Sequence, residues 1–479
     1  MGLEVWLSQQ LDSPWSRAVI FPAFWATIWQ ALAFESPLGR LTTWSPVLGI
    51  ESYAWTKPVL GPWGVDWVVA SFAVVGSDVV GTWLSSRVHF RDEQLIDIED
   101  EPSSEQRQIP SHPSSFSKPV FALSTLLLLL AVPSYFVHPL PLPPLSSSST
   151  PITVGCVLPP PPKPNDHTSI LDRFILESQR VVPSGAKIML WPEGAVHFES
   201  PDERDKAISK VRQMIKGPYV GISFVENAPS GWQGHSHTDK KRIGLVLVGP
   251  DGPVFEYYKR NLVPVAESFS AVPSYDPPTV YHLPLPPPAH TNKSDWSHGP
   301  PYVRPVPLTA SICLDFASPS AFAELSSRPA LILAPARTWH PDVGLAVWGQ
   351  AKARAEEAGS MVLFCDGGHN GVSGIAGRGI NEIMQIGSGS WTRTVGVQWP
   401  SDERRTAYIY AGNYTVFVII WGLTGSVLAG EFLRREYGQK TFVELWHTST
   451  ESVWELATTL NITIRGWRHR RGEEQPLLQ

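Results

Sequence analysis

Three residues in this sequence could do covalent chemistry together: a carboxylate, an amine and a thiol, each at or just past an apolar, strand-like run. They are Glu193 in Ile188-Met189-Leu190-Trp191-Pro192-Glu193, Lys259 in Phe255-Glu256-Tyr257-Tyr258-Lys259, and Cys313 in Ala310-Ser311-Ile312-Cys313-Leu314-Asp315. Ligands of open α/β sheets bind beyond strand ends, so groups delivered there can converge. A thiol attacks strongly only as its thiolate and needs a base to take its proton. The oxyanion that forms on an attacked acyl carbon needs a fixed donor. Glu193, Cys313 and Lys259 would supply base, nucleophile and donor. Taken singly, each has a plainer role: a strand-end cysteine packs as a small hydrophobe, a glutamate caps a helix, a lysine is solvated. Their order gives the joint reading its weight, with Lys259 66 residues after Glu193 and Cys313 a further 54 on.

The elements that must position these residues alternate. Helical periodicity over 169–181 leads to a strand at 187–191, and a helix at 202–215 leads to a strand at 219–224. Strands at 244–248 and 254–258 flank a turn containing Asp251-Gly252, which marks a hairpin and makes the sheet mixed. A strand ending at Cys313, a helix at 318–326, a strand at 330–334, a helix at 341–358 closed by Gly359 and a strand at 361–365 follow. A first strand, 152–157, is embedded in a Pro/Ser tract that reads as a stiff connector. Pro-rich stretches at 227–240 and 271–305 read as surface loops, and no internal repeat is present.

Composition points to a membrane. Only 17% of the 479 residues are charged, against about 25% in ordinary soluble proteins, while the chain holds 46 prolines and 20 tryptophans. Apolar stretches at 63–84, 119–137 and 414–430 read as spans, and the aromatic stretch 15–34 either crosses or lies in the interface. No basic, apolar and small-residue sequence of a signal peptide opens the chain, so targeting falls to the internal spans. Arg87, Arg91, Arg107 and Lys118 in the loop 85–118, and Arg434, Arg435, Lys440, Arg465, Arg468, Arg470 and Arg471 in the tail 431–479, place both on the cytoplasmic side. The division is then a membrane region at 1–138, a linker at 139–151, a catalytic domain at 152–412 on the lumenal or extracytosolic side, a last span and a tail. A net charge of −6 without a basic stripe argues against nucleic acid.

The segments Trp191-Pro192-Glu193-Gly194-Ala195, Lys259-Arg260-Asn261-Leu262-Val263-Pro264-Val265-Ala266-Glu267 and Ile312-Cys313-Leu314-Asp315 together resemble the nitrilase superfamily of carbon–nitrogen hydrolases, and within it the membrane branch of apolipoprotein N-acyltransferases. Trp339-His340-Pro341-Asp342, Ala353-Arg354-Ala355-Glu356 and Asn370-Gly371-Val372-Ser373-Gly374 are similar to downstream segments of that branch, the likeness running over 152–409 and, more weakly, 13–81. The chain departs from the branch in offering four spans instead of about eight, and in having Leu314 where an aromatic often follows the cysteine. The resemblance implies an α/β fold, a nitrilase-like α-β-β-α sandwich with flanking transmembrane α-helices. It also implies a Glu193, Lys259, Cys313 triad, with Glu267 supporting the lysine and Asp315 in a position where the branch commonly has Glu.

The implied activity is transfer of an acyl chain from a phospholipid donor to an amine acceptor of lipoprotein type through a cysteine thioester, with no metal and no organic cofactor. Water in place of the amine gives an amidase, and a retained fold without turnover gives a membrane-anchored binding module. Cys156 and Cys365 stand far apart with no acid–base pair beside either, and read as buried packing thiols. His369 reads as a loop residue that could touch substrate. Pro264 bends the segment after Lys259, so Glu267 is expected within hydrogen-bond reach of the lysine. Asn292-Lys293-Ser294 reads as a glycan acceptor in an exposed loop, Asn413-Tyr414-Thr415 as too close to the membrane, and Asn461-Ile462-Thr463 as cytoplasmic.

Overall fold

The computed structural model describes residues 14–43, 51–92, 117–137 and most of 141–434, leaving out 144, 145, 147, 165, 229–239, 289, 290 and 298. Among the described residues, thirteen strands form two sheets. The first contains β1 (Ser149–Cys156), β2 (Ile188–Leu190), β3 (Val196–Phe198), β4 (Tyr219–Asn227), β5 (Lys241–Gly249), β6 (Gly252–Tyr258) and β13 (Trp391–Gln398), in the order β13-β1-β2-β4-β5-β6 with β3 beside β4. The second runs β12-β11-β10-β9-β8-β7, from β7 (Tyr281–Leu285), β8 (Arg304–Ala310), β9 (Leu331–Ala336), β10 (Met361–Asp366), β11 (Val372–Gly377) and β12 (Ile380–Ile386). Each has a parallel centre and antiparallel margins, and β5 and β6 are antiparallel across the Asp251-Gly252 turn.

Strand alternation decides what packs where. Ile243, Leu245 and Leu247 of β5 join Ile152, Val154 and Ile188 in a core shared with Leu283, Val306, Leu333 and Leu363 of the other sheet. Val246 and Val248, one residue out of step, face Phe174, Ile175, Ala207 and Val211 on two covering helices (170–181 and 201–214). Each such side chain taken fully from water contributes about 1.5–3 kcal/mol. A helix at 341–358 covers the second sheet with Val347, Trp348 and Ala351, and is closed by Gly359 at φ 65°. The layers are helix, sheet, sheet, helix.

Among the described residues, four further helices are long and apolar enough to cross a membrane: 18–35 within Pro14–Glu35, 51–84 within a stretch whose helix continues to Asp92, 118–136, and 407–434. Phe121, Leu128, Leu129, Val418, Leu423 and Phe432 on them are each more than 60% exposed, an unpartnered apolar surface that water would not tolerate cheaply. Their ends alternate at the soluble domain. The C-terminal end of the first helix packs its turn Gly39–Thr42 on the Cys313–Ala317 turn, with Leu38 and Leu41 against Val263, Leu314 and Ala317. Gly39 sits at φ 54°, and a Cβ there would fall 2.2 Å from the Ala317 carbonyl oxygen, so no other residue fits. The N-terminal end of the second ties Lys57 to Glu356 at 2.5 Å, and Trp63 donates to Asn413 of the fourth at 2.9 Å. Tyr53 and Trp55 donate to the carbonyls of Leu127 and Leu130 near the C-terminal end of the third.

Four expectations change. Cys156 and Cys365 are not packed thiols: they form a disulfide across the two sheets, with Cα atoms 5.4 Å apart and 209 residues between them in sequence. Strands β1 and β10 present them to one another through the sandwich, a proximity that spacing along the chain does not encode. The stretch 271–305 is no mere surface loop, because it holds β7, whose Leu283 and Leu285 are buried and whose Pro284 is tolerated at a sheet edge. The stretch 318–326 forms turns instead of a helix, since Phe322 and Leu325 are drawn into the core and one short run cannot nucleate a helix alone. Residues 85–92 continue a helix instead of opening a loop, and the last helix begins at 407; the remainder of the loop and the tail beyond 434 lie outside the described residues.

With the cross-link in place, Cys313 is the free thiol of the three cysteines. Denatured, unreduced protein is expected to show one thiol to a counting reagent, and three after reduction. Reduction should cost roughly 2–5 kcal/mol of stability. Three thiols before reduction would contradict the pairing.

Candidate active site

Each arm of the site follows a strand. Beyond β2, Trp191 is fully buried, stacked on Phe174 at 4.9 Å and hydrogen-bonded to Ser178 at 3.0 Å, which fixes the turn that delivers Glu193. Gly194 closes that turn at φ 60°. The Glu193 amide donates to the Ala336 carbonyl at 3.3 Å and the Gly367 amide to the same carbonyl at 3.0 Å, so the ends of β2, β9 and β10 share one acceptor. Lys259 follows β6, its amide on the Ile243 carbonyl at 2.9 Å, and its side chain is wholly shielded from solvent.

The Lys259 ammonium lies 2.7 Å from Glu193 Oε1 and 2.7 Å from Glu267 Oε1. Glu267 reaches back because the chain reverses at Pro264 and Val265, the latter at φ 66°. Its second oxygen accepts the Val263 amide at 2.8 Å. Cys313 begins the turn Cys313–Ala317 at φ 47°, an uncommon and costly conformation for a residue with a Cβ, and is 5% exposed. The Glu193 carboxylate and the Arg337 backbone amide both act electrostatically on its thiol. Glu193, Lys259, Cys313 and Glu267 are thus one cluster.

Asp315 does not face the thiol. Its Oδ1 accepts the amides of Arg260 at 3.0 Å and Asn261 at 2.6 Å and the Asn261 side chain at 3.1 Å, while Oδ2 accepts Tyr257 Oη at 2.8 Å and the Ile312 amide at 3.1 Å. It staples the nucleophile turn to the residues on either side of Lys259. Burial raises its pKa, and the Lys259 charge, those amides and Tyr257 pull it back only in part.

The electrostatics describe a resting acid–base unit. Burial pushes Glu193 up from the ordinary glutamate value, Lys259 opposing and Glu267 reinforcing the shift. Burial also drives the Cys313 thiol well up, aided by Glu193 and resisted by Lys259 and the Arg337 amide. Burial alone would lower Lys259, but the charges of Glu193, Cys313 and Glu267 outweigh it and hold the ammonium protonated well above its usual range. The thiol therefore rests protonated beside a carboxylate able to accept a proton, and Lys259 rests charged.

The sequence reading missed the loop after β9. There Thr338 is buried, its amide and hydroxyl bonded to Asp366 at 3.0 and 2.6 Å, and that anchorage fixes the neighbouring Arg337, whose backbone amide lowers the proton affinity of the thiol. The signal was available: Ala336-Arg337-Thr338 repeats the pattern of an apolar strand followed by a capable residue. His369 lies exposed on the loop that Asp366 opens. No group of three or more metal-ligating side chains is found among the described residues.

No family model matches the chain, and no curated protein matches it by sequence. Among solved structures, an amidase from Nesterenkonia sp. aligns at 17% identity and a TM-score of 0.37 over 53% of this chain and 92% of its own. A variant of that amidase in complex with butyramide gives 15% and 0.39 over 57% and 97%. Another, described as a Nesterenkonia AN1 amidase from the nitrilase superfamily, gives 16% and 0.38 over 55% and 96%. Likeness at this level carries no argument about the reaction, which rests on the residues themselves.

A raised Glu193 has a kinetic signature. Below its pKa the carboxyl keeps its own proton and cannot take the thiol's; above it the base is free, and Lys259 stays charged beyond the ordinary lysine value of 10.5. The rate of Cys313 acylation should rise through an acid limb above 4.5, the ordinary glutamate value, and show no loss through pH 9. A limb at 4.5 or below would contradict the buried base. Glu267→Gln leaves Lys259 one carboxylate and should slow acylation about ten-fold, read by stopped-flow release of the leaving group.

Proposed function

We propose that this chain is a membrane-embedded acyltransferase that works through a thioester on Cys313. One observation carries the reading: a fully buried ammonium held at 2.7 Å by two carboxylates, beside a buried thiol on which both the ammonium and Glu193 act electrostatically. Glu193 takes the thiol proton as Cys313 Sγ attacks the acyl ester, and Lys259 stabilises the oxyanion. Collapse breaks the acyl–oxygen bond, and Glu193 returns the proton to the departing alkoxide. An amine then attacks the thioester, gives its proton to Glu193 and leaves as the amide, while the thiolate recovers its proton. Asp315 and Glu267 position the thiol turn and the lysine.

Water in place of the amine gives amide or ester hydrolysis with the same residues. The four apolar helices favour transfer, since they put the site beside a store of acyl esters and the Cys313 turn against the first helix. Their alternating ends at the soluble domain also support a multi-pass arrangement with that domain on one side. The Cys156–Cys365 disulfide supports an oxidising, extracytosolic side.

Purified protein with a doubly labelled phospholipid and a lipopeptide amine should give labelled amide, and Cys313→Ala, Glu193→Gln and Lys259→Ala should each lose nearly all of it. Labelled free acid alone would favour the hydrolase, and no product with a folded protein would favour the binding module. In a eukaryotic host Asn292, exposed at the start of a short helix, is the expected glycan site. Asn413 is not, because its amide is engaged by Trp63, Tyr408 and the Pro319 carbonyl. A glycan on Asn461 with none on Asn292 would invert the topology.

A further inference from the structure

We propose that Arg337 selects the substrate by binding an anionic group on it, the phosphate of a glycerophospholipid acyl donor, while the acyl carbon lies over Cys313. The proposal rests on the thioester reading above and names the substrate feature that the site would recognise. Both ends of Arg337 are at the catalytic centre. Its backbone amide acts on the Cys313 thiol, and its guanidinium Nη1 lies 3.9 Å from where a Cβ would stand on Gly194, the residue after the base.

The loop fixes this placement. Thr338 is 2% exposed and bolted to Asp366, so its neighbours Arg337 and Trp339 turn outward together, Trp339 at 64% exposure. Glu193, Lys259 and Cys313 are buried, whereas Arg337 beside them is exposed.

A solvated surface arginine is the plain alternative, and the other arginines of this domain argue against it. Arg180, Arg260, Arg328, Arg393 and Arg404 each hold a carboxylate within 3.1 Å, and Arg173, Arg212, Arg304, Arg378 and Arg405 donate to carbonyl or amide oxygens, whereas the Arg337 guanidinium has neither kind of partner among the described residues. An unpaired guanidinium beside a reaction centre presents a planar fork suited to two oxygens of one anion. Trp339 adds the second half of the match, since an exposed indole favours the boundary between acyl chains and headgroups, where phosphate lies. An acyl ester and its phosphate are joined through glycerol carbons, so one donor can present both. Free phosphate and simple carboxylates share the anionic chemistry, and the test separates them.

Two measurements on the full chain in nanodiscs decide the matter. The first compares acylation by phosphatidylethanolamine and by diacylglycerol with identical acyl chains, which differ in the phosphate. Arg337→Gln should cut the preference for the phospholipid at least ten-fold, chiefly through KM, and Arg337→Lys should restore part of it. An equal loss on both donors, or an unchanged ratio, would overturn the assignment, because a structural or thiolate-stabilising role would act on both alike. The second needs no turnover: glycerophosphoethanolamine should protect Cys313 from iodoacetamide in the native chain, at concentrations at least ten-fold below those needed for inorganic phosphate or acetate, and this protection should be lost in Arg337→Gln. Equal potency of the three anions, or protection that survives the substitution, would overturn it. A native chain that acylates from neither donor yet shows the protection would instead remove the thioester reading and leave the anion site standing.

Discussion

Lys259 is the constraint around which the domain is arranged. An ammonium stripped of water is strongly disfavoured unless opposite charges and hydrogen bonds replace its hydration, and here Glu193 and Glu267 each stand 2.7 Å away. The arrangement needs three parts of the chain to meet: the turn after β2, the end of β6, and the reversal at 263–267. The shared Ala336 carbonyl sets the first against β9 and β10, the Ile243 carbonyl anchors the second, and the Val263 amide ties down the third. Asp315 then brings the strained Cys313 turn onto the same frame through five donors. Losing either glutamate would leave the buried ammonium with the other as its one carboxylate partner.

The apolar helices enter the same arrangement from the other side of Cys313. Leu38, Gly39 and Leu41 press on Leu314 and Ala317, so the turn that carries Cys313 is held between Asp315 and the end of the first helix. Next to it a buried ionic group joins the two parts: Arg354 and Glu357 pair at 2.6 Å, Lys57 pairs with Glu356, and Arg40 lies near Tyr408 at 3.5 Å. Burial lowers Arg354 and raises Glu357, the expected cost of hiding both. Such pairs add little net stability and serve better to fix one register of helices against domain. The disulfide between β1 and β10 closes the sandwich without touching the helices.

Much of the site was legible because its chemistry sits at strand ends, where the sequence changes abruptly from apolar to reactive. Glu193, Lys259 and Cys313 stand out by type against Ile188–Leu190, Phe255–Tyr258 and Leu308–Ala310. Pro264 foretold the reversal that returns Glu267 to the lysine. Asp315 was visible as a residue near the thiol, but its work of stapling backbone amides depends on a loop conformation that no spacing reveals. Arg337 was passed over because an arginine after a strand is usually solvated, and only its unpaired state and the action of its amide on the thiol distinguish it. Strands β11 to β13 and β7 escaped because glycines, prolines and polar residues interrupt their alternation, and pairing with neighbours decides them instead.

The central claim is that the buried lysine and its two carboxylates serve a covalent intermediate on Cys313. Intact-mass and peptide mass spectrometry of the native chain, quenched in acid during reaction with a phospholipid and without acceptor amine, tests it directly. The account predicts one added acyl mass, located on Cys313, released by neutral hydroxylamine and absent from Cys313→Ala. An acyl group on another residue, or product formation in Cys313→Ala, would contradict it.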